Sequence, residues 1–159
     1  MNFRERIFHN HQYHAAGHTW IVPTVRLVRL PDDDDYAISL AEIQRIQRGI
    51  IHAICTDPAD LTFDEFEFLC EVTQTTQTRA AAVLGLHKST LSKWKSRGTG
   101  PSGVTSTALK RYFWFKHFGD RVREVQAPLG TMASDSEILR YVRDHMDEAD
   151  LDAPHVLAA

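Results

Sequence analysis

The sequence predicts a mainly α fold, with a helix-turn-helix unit at its centre, a small N-terminal α+β segment before it and a C-terminal helix after it. Three observations carry this expectation. Three Ser/Thr-x-x-Glu signatures, Ser39-Leu40-Ala41-Glu42, Thr62-Phe63-Asp64-Glu65 and Ser134-Asp135-Ser136-Glu137, each precede apolar residues at helical spacing. Two further short helical runs lie on either side of Gly85. The stretch Thr19 to Leu30 is dense in β-branched and aromatic residues, the composition of a small β element.

Taken in order, Asn2 to His18 is rich in histidine and has no decisive periodicity. Pro23 either divides the β element into two strands or marks an edge. Pro31 and Asp32 to Asp35 make a polar turn. Ser39 caps a helix with Ile43, Ile46, Ile50, Ile51 and Ile54 as its apolar positions, ending near Cys55. Asp57-Pro58 breaks the pattern, which sets segments of 1–57, 58–126 and 127–159. Thr62 then opens a helix with Phe66, Leu69, Cys70 and Thr73 on one face and acidic residues in its first turns, where the helix dipole favours them. Gln77 to Leu84 and His87 to Trp94 are short helices around Gly85, and Gly98 to Gly103 is a loop. Thr105 to Phe118 forms a helix with Leu109, Tyr112, Phe113 and the Lys116 stem inward, closed by Gly119. Ala127 to Gly130 reads as a linker, and Ser134 caps a last helix with Ile138, Leu139, Tyr141, Val142 and Met146 on its stripe.

Charge separates the middle of the chain from the rest. The whole sequence carries 18 basic and 21 acidic residues. Between Thr75 and Phe118 stand Arg79, Lys88, Lys93, Lys95, Arg97, Lys110, Arg111 and Lys116, with no Asp or Glu. Everything outside that block is therefore strongly acidic, and a wholly basic block in an acidic chain is the footprint expected for a polyanion partner. The block also has the parts of a helix-turn-helix. Ala81 is small where two helices would cross, Gly85 serves the tight turn, and Leu84, Leu86, Leu91 and Trp94 lock the angle. Lys88, Ser89, Thr90, Ser92 and Lys93 then occupy the faces left over, a helix shaped to enter a major groove. His87 falls at the N-cap, where capping and a DNA contact are both open. Trp114 adjoins Phe113 and would point elsewhere, so it is read as a packing contact in a dimer, with an exposed aromatic against DNA as the alternative.

These residues carry a resemblance. Leu61-Thr62-Phe63-Asp64-Glu65, Gln77, Ala81, Leu84-Gly85 and Ser89-Thr90-Leu91-Ser92-Lys93-Trp94 resemble the lambda-repressor-like (Xre-type) helix-turn-helix family over about 60 residues. Leu61-Thr62, Phe68-Leu69 and Gly100-Pro101-Ser102-Gly103 look more specifically like the DNA-binding domain of MqsA-type antitoxins. The resemblance implies a double-stranded DNA-binding repressor, dimeric, with a toxin protein as a possible partner of its N-terminal half. It implies that Gln77 donates to a phosphate and that Lys88, Ser89 and Lys93 reach base edges. Thr90 at the helix start serves base or phosphate, while Ser92, Lys95 and Arg97 meet the backbone.

Other functions find less support. His11, His14 and His18, with His9 nearby, would share one face if Phe3 to His18 were helical, and such imidazoles bind Zn, Ni or Cu. A His-based metal protein and a protein-interaction module without specific DNA binding are therefore the alternatives. The chain has no phosphate-binding glycine loop, nucleophile elbow or His-Glu-x-x-His, so no enzyme activity and no cofactor are expected. Cys55 and Cys70, both in apolar helical patterns, read as buried free thiols. No apolar run approaches a membrane span, and a cytoplasmic location is expected.

Overall fold

A computed structural model describes residues 5–32, 35–126 and 155–156. The chain forms strands β1 (Glu5–Ala15), β2 (His18–Arg29) and β3 (Tyr36–Ile38). Helices α1 (Leu40–Thr56), α2 (Phe63–Val72), α3 (Gln77–Val83), α4 (Lys88–Arg97) and α5 (Gly103–Gln126) follow, then a short strand β4 (His155–Val156). The helix expected from Ser134 lies outside the described residues.

The antiparallel sheet, ordered β1-β2-β3 with β4 also on β2, corrects the expected mainly α class to α+β. The His-rich N-terminal stretch is not helical. It is an 11-residue strand paired with β2 from Glu5↔Val28 to Ala15↔His18. Ala16 and Gly17, both at positive φ, close this hairpin as a two-residue turn of the kind whose twist suits antiparallel strands. Pro23 does not divide β2. It faces Asn10, which stands at φ 53, and this rung lacks a ladder partner. Buried positions run Trp20 and Val22 before Pro23, then Val25 and Leu27 after it. On β1 the more covered positions likewise pass from Tyr13 and Ala15 to Phe8. Both strands therefore shift their in-out alternation together, and the hairpin keeps one face on the core.

The edge of β2 opposite β1 is closed by three devices. β3 covers Leu27 to Arg29, and β4 covers Trp20 and Ile21. Between them α1 supplies side chains. Glu42 Oε1 accepts from Arg26 N at 3.0 Å, and Arg45 Nη2 donates to Thr24 O at 2.6 Å and to Glu42 Oε1 at 2.8 Å. The Ser39-Glu42 capping box is consequently half made: Ser39 Oγ accepts from Glu42 N, while the Glu42 carboxylate goes to the strand. Burial by itself would raise the Glu42 pKa. The hydrogen bonds from Arg45 and Arg26 N–H and the two guanidinium charges outweigh it and hold the carboxyl below its ordinary 4.5. A depressed native pKa contributes stability that is present above pH 4.5 and is lost as pH falls through the native value. Glu42→Gln is expected to lower stability at pH 7 by about 1.5–3 kcal/mol. It should also flatten the acid limb of a urea-midpoint profile between roughly pH 5 and pH 2.

One core joins all the layers. Trp20, Val22, Val25 and Leu27 from the sheet, Ile46, Ile50, Ile51 and Ile54 from α1, and Phe66, Leu69, Leu91, Leu109, Phe113 and Trp114 from the other helices form a single buried cluster. It runs across the expected break at Asp57-Pro58. Trp114 packs inside the chain, 5.1 Å from the Phe118 ring and 4% exposed, which corrects the expectation that it points away from the core toward a dimer partner or DNA. The last described helix is longer than expected. It begins at Gly103, where Leu109, Phe113 and Phe118 make its buried row, and continues through Gly119 to Gln126 although an interior glycine costs about 1 kcal/mol.

Candidate nucleic-acid interface

The start of α2 is fixed by a complete capping box. Thr62 Oγ1 accepts from Glu65 N at 3.1 Å, and Thr62 N donates to Glu65 Oε2 at 2.9 Å. The other Glu65 oxygen accepts from His18 Nε2 at 2.9 Å, which ties the hairpin to α2. The loop after α4 docks on the same helix start. An added Cβ at Gly100 would stand 2.2 Å from Leu61 O, Ser106 Oγ accepts from Leu61 N at 2.9 Å, and Pro101 is fully buried.

Helices α3 and α4 are short and are joined by a tight turn around Gly85. Ala80 and Ala81 are buried where α3 meets its neighbours. Leu86 N donates to Ala81 O at 2.9 Å and Gly85 N to Ala82 O at 3.0 Å, with Gly85 at φ 68. This pair of bonds is the glycine-closed helix end that a three-residue turn requires. α4 is then held from beneath by Leu91, which is buried, and by half-buried Trp94, whose ring lies 5.7 Å from that of Phe66.

Apart from Leu91, Trp94 and half-covered Thr90, every residue of α4 is exposed. At helical spacing, Ser89, Ser92, Lys93 and Ser96 make the stripe opposite Leu91 and Trp94. Lys88 and Lys95 border it on one side and Arg97 on the other. Short hydroxyl side chains on the crest let a helix backbone approach a groove closely, and flanking lysines reach outward to phosphates or guanine edges. Lys93 and Arg97, one turn apart, repel each other, so this face weakens the isolated helix. Among the described residues none of Arg79, Lys88, Lys93, Lys95 and Arg97 has an ion-pair or hydrogen-bond partner for its side chain.

Three expected contact residues are engaged within the chain, Ser89 through its Oγ, 3.0 Å from His87 Nδ1. His87 Nδ1 accepts from Ser89 N at 3.2 Å, which makes His87 the N-cap of α4. Gln77 is half-buried at the start of α3 and donates through Nε2 to Glu67 Oε1 at 3.3 Å. Lys110, one of the eight cations counted in the basic block, is buried, and its Nζ donates to Asp57 O at 2.6 Å and also to Ala59 O. Lys116 donates to Thr75 Oγ1. Arg79, for which the sequence predicts charge but no particular contact, is exposed.

The other concavities and clusters suit different chemistry. A cleft of about 1010 Å³ between the hairpin tip, α1 and α2 carries Asp64, Glu67 and Glu71 on its α2 side, the wrong sign for a polyanion. The helical grouping of His11, His14 and His18 is overturned because these residues lie on strands. His14 Nδ1 bonds Thr19 Oγ1, and His18 belongs to Glu65. Among the described residues no group of three or more His, Cys, Asp or Glu is placed to hold a metal ion. Burial pushes the Cys55 and Cys70 thiols up to about 12, so both are protonated at neutral pH. No helix of the described residues is long and apolar enough to cross a membrane. Compared with models of protein families, with curated proteins and with solved structures, the chain matches none.

Proposed function

We propose that this chain is a sequence-specific, double-stranded DNA-binding regulator, acting as a dimeric cytoplasmic repressor. The observation that carries the reading is α4. It is a ten-residue helix anchored by Leu91 and Trp94 whose remaining surface is hydroxyls and cations, the cations without ion-pair or hydrogen-bond partners among the described residues. In water such a face carries only a small like-charge penalty, and its groups are the ones that phosphates and base edges accept. In this reading Ser89 and Lys93 lie on the crest toward base edges with Lys88 beside them, Ser92 adjoins them, and Lys95, Arg97 and Arg79 approach the phosphates. His87 contributes by capping the reading helix, and Gln77 offers its remaining amide hydrogen to a phosphate while Glu67 holds the other. A toxin protein as partner of the N-terminal half, which would make the chain an autoregulating antitoxin, rests on the family resemblance. A toxin-like reading frame beside this gene would support it, and its absence would favour a free-standing regulator.

The test is fluorescence anisotropy on a labelled duplex across a salt series. Binding at about 50 mM salt is expected, with log affinity falling linearly against log salt at a slope near −0.9 for each phosphate neutralised. Five exposed cations set an upper slope of about −4 to −5 for one module. Absence of any binding at that salt would remove the proposal.

A further inference from the structure

The two long edges of the hairpin are treated differently. β2 is sealed along its outer side by β3, by Glu42 with Arg45, and by β4, whereas β1 has no strand beyond it among the described residues. The direction of its backbone groups follows from those seals. Residues opposite one another in an antiparallel ladder either turn their N–H and C=O toward each other or both turn them away. Arg26 turns its N–H, and Thr24 its C=O, away from β1 toward α1. Their partners Ile7 and His9 therefore turn theirs away from β2, into the open edge, and Glu5 two residues earlier does the same. All three residues are exposed, and Ile7 is 55% exposed on a strand with no proline and no lysine to discourage pairing.

The same three residues are complementary to themselves. Laid antiparallel against a second copy with Ile7 opposite Ile7, this segment sets each Glu5 opposite a His9 and each Arg6 opposite a Phe8. Glu5, Ile7 and His9 all become hydrogen-bonded pairs, which is the orientation their backbones already have. An apolar pair then sits at the two-fold axis, flanked by carboxylate-imidazole pairs and cation-aromatic pairs. We propose that the chain dimerises through this edge, β1 against β1 of a second copy, centred on Ile7, to make one continuous sheet. The expectation of a two-fold assembly rests on the regulator reading, while the choice of surface rests on the strand itself.

Sedimentation equilibrium of the full chain at micromolar concentration tests it. The unaltered protein is expected to be a dimer. Glu5→Lys places like or uncomplementary groups at both flanks and should weaken the dimer roughly tenfold. Glu5→Lys combined with His9→Glu restores opposite partners and should recover most of that loss. Ile7→Pro removes the N–H at the axis and should leave a monomer, with circular dichroism reporting whether the sheet has survived. A monomeric unaltered protein, a Glu5→Lys dimer of unchanged strength, or a double variant without recovery would each overturn the inference. Duplex binding measured on the same samples separates the two readings. A monomer that binds DNA removes only this interface, and a dimer that binds none removes only the regulator.

Discussion

Gly100→Ala is expected to destabilise the protein by about 3 kcal/mol or more, a loss readable as a drop in urea midpoint. The methyl would stand 2.2 Å from Leu61 O and 3.0 Å from the Thr62 carbonyl carbon, and both contacts are to backbone. No rotamer change relieves such a clash, so the loop after α4 must lift from the start of α2. That movement would break the hydrogen bond from Leu61 N to Ser106 Oγ and uncover Pro101. Gly85→Ala is the useful comparison. There the added methyl meets open space, and only the positive φ is penalised, at about 1 kcal/mol. Equal effects of the two substitutions would show that the close approach at Gly100 is not made.

Two lysines of the same basic block are expected to fail in opposite ways. Lys93→Ala should leave the melting temperature nearly unchanged, because the side chain is exposed and has no partner among the described residues. It should reduce duplex affinity by about 1–3 kcal/mol, roughly fivefold to 150-fold. Lys110→Met keeps the aliphatic stem but strands two carbonyls, at Asp57 and Ala59, that the ammonium now satisfies. It should cost about 2–3 kcal/mol of stability while the affinity of the folded fraction for DNA is unaltered. A loss of DNA affinity in Lys110→Met without a loss of stability would contradict the assignment of that residue to the interior.

Features that depend on near neighbours were legible in the sequence. The Ile46, Ile50, Ile51 and Ile54 row, the Thr62-Glu65 box, and the Gly85 turn between two short helices follow from i to i+3 or i+4 relationships, and the chain forms all of them. The strand β1 was hidden for a physical reason. An edge strand covers only part of one face, so Glu5, Arg6, His9 and Gln12 stay polar and exposed, and no apolar alternation is left to read. Ala16-Gly17 is also a weak turn signal beside Asn-Gly or Asp-Gly, and Pro23 argues against a continuous strand until Asn10 is seen opposite it. In the candidate site, charge alone could not separate Lys110 from Lys93. Both sit in helices of the basic block, and only long-range packing puts one beneath α1 and leaves the other outside. The half-made capping box at Ser39 has the same origin, since Glu42 is drawn away by a strand 16 residues earlier.

The closure of the outer side of β2 has a bearing on how far this protein can self-associate. A chain with two open rims can add copies head to tail without limit, which is the route from native sheet to fibre. Here a short strand, a buried carboxylate-guanidinium pair and a returning piece of the C-terminus blunt one rim. Growth by the proposed β1 pairing would therefore terminate after a single addition, giving a finite particle rather than a polymer.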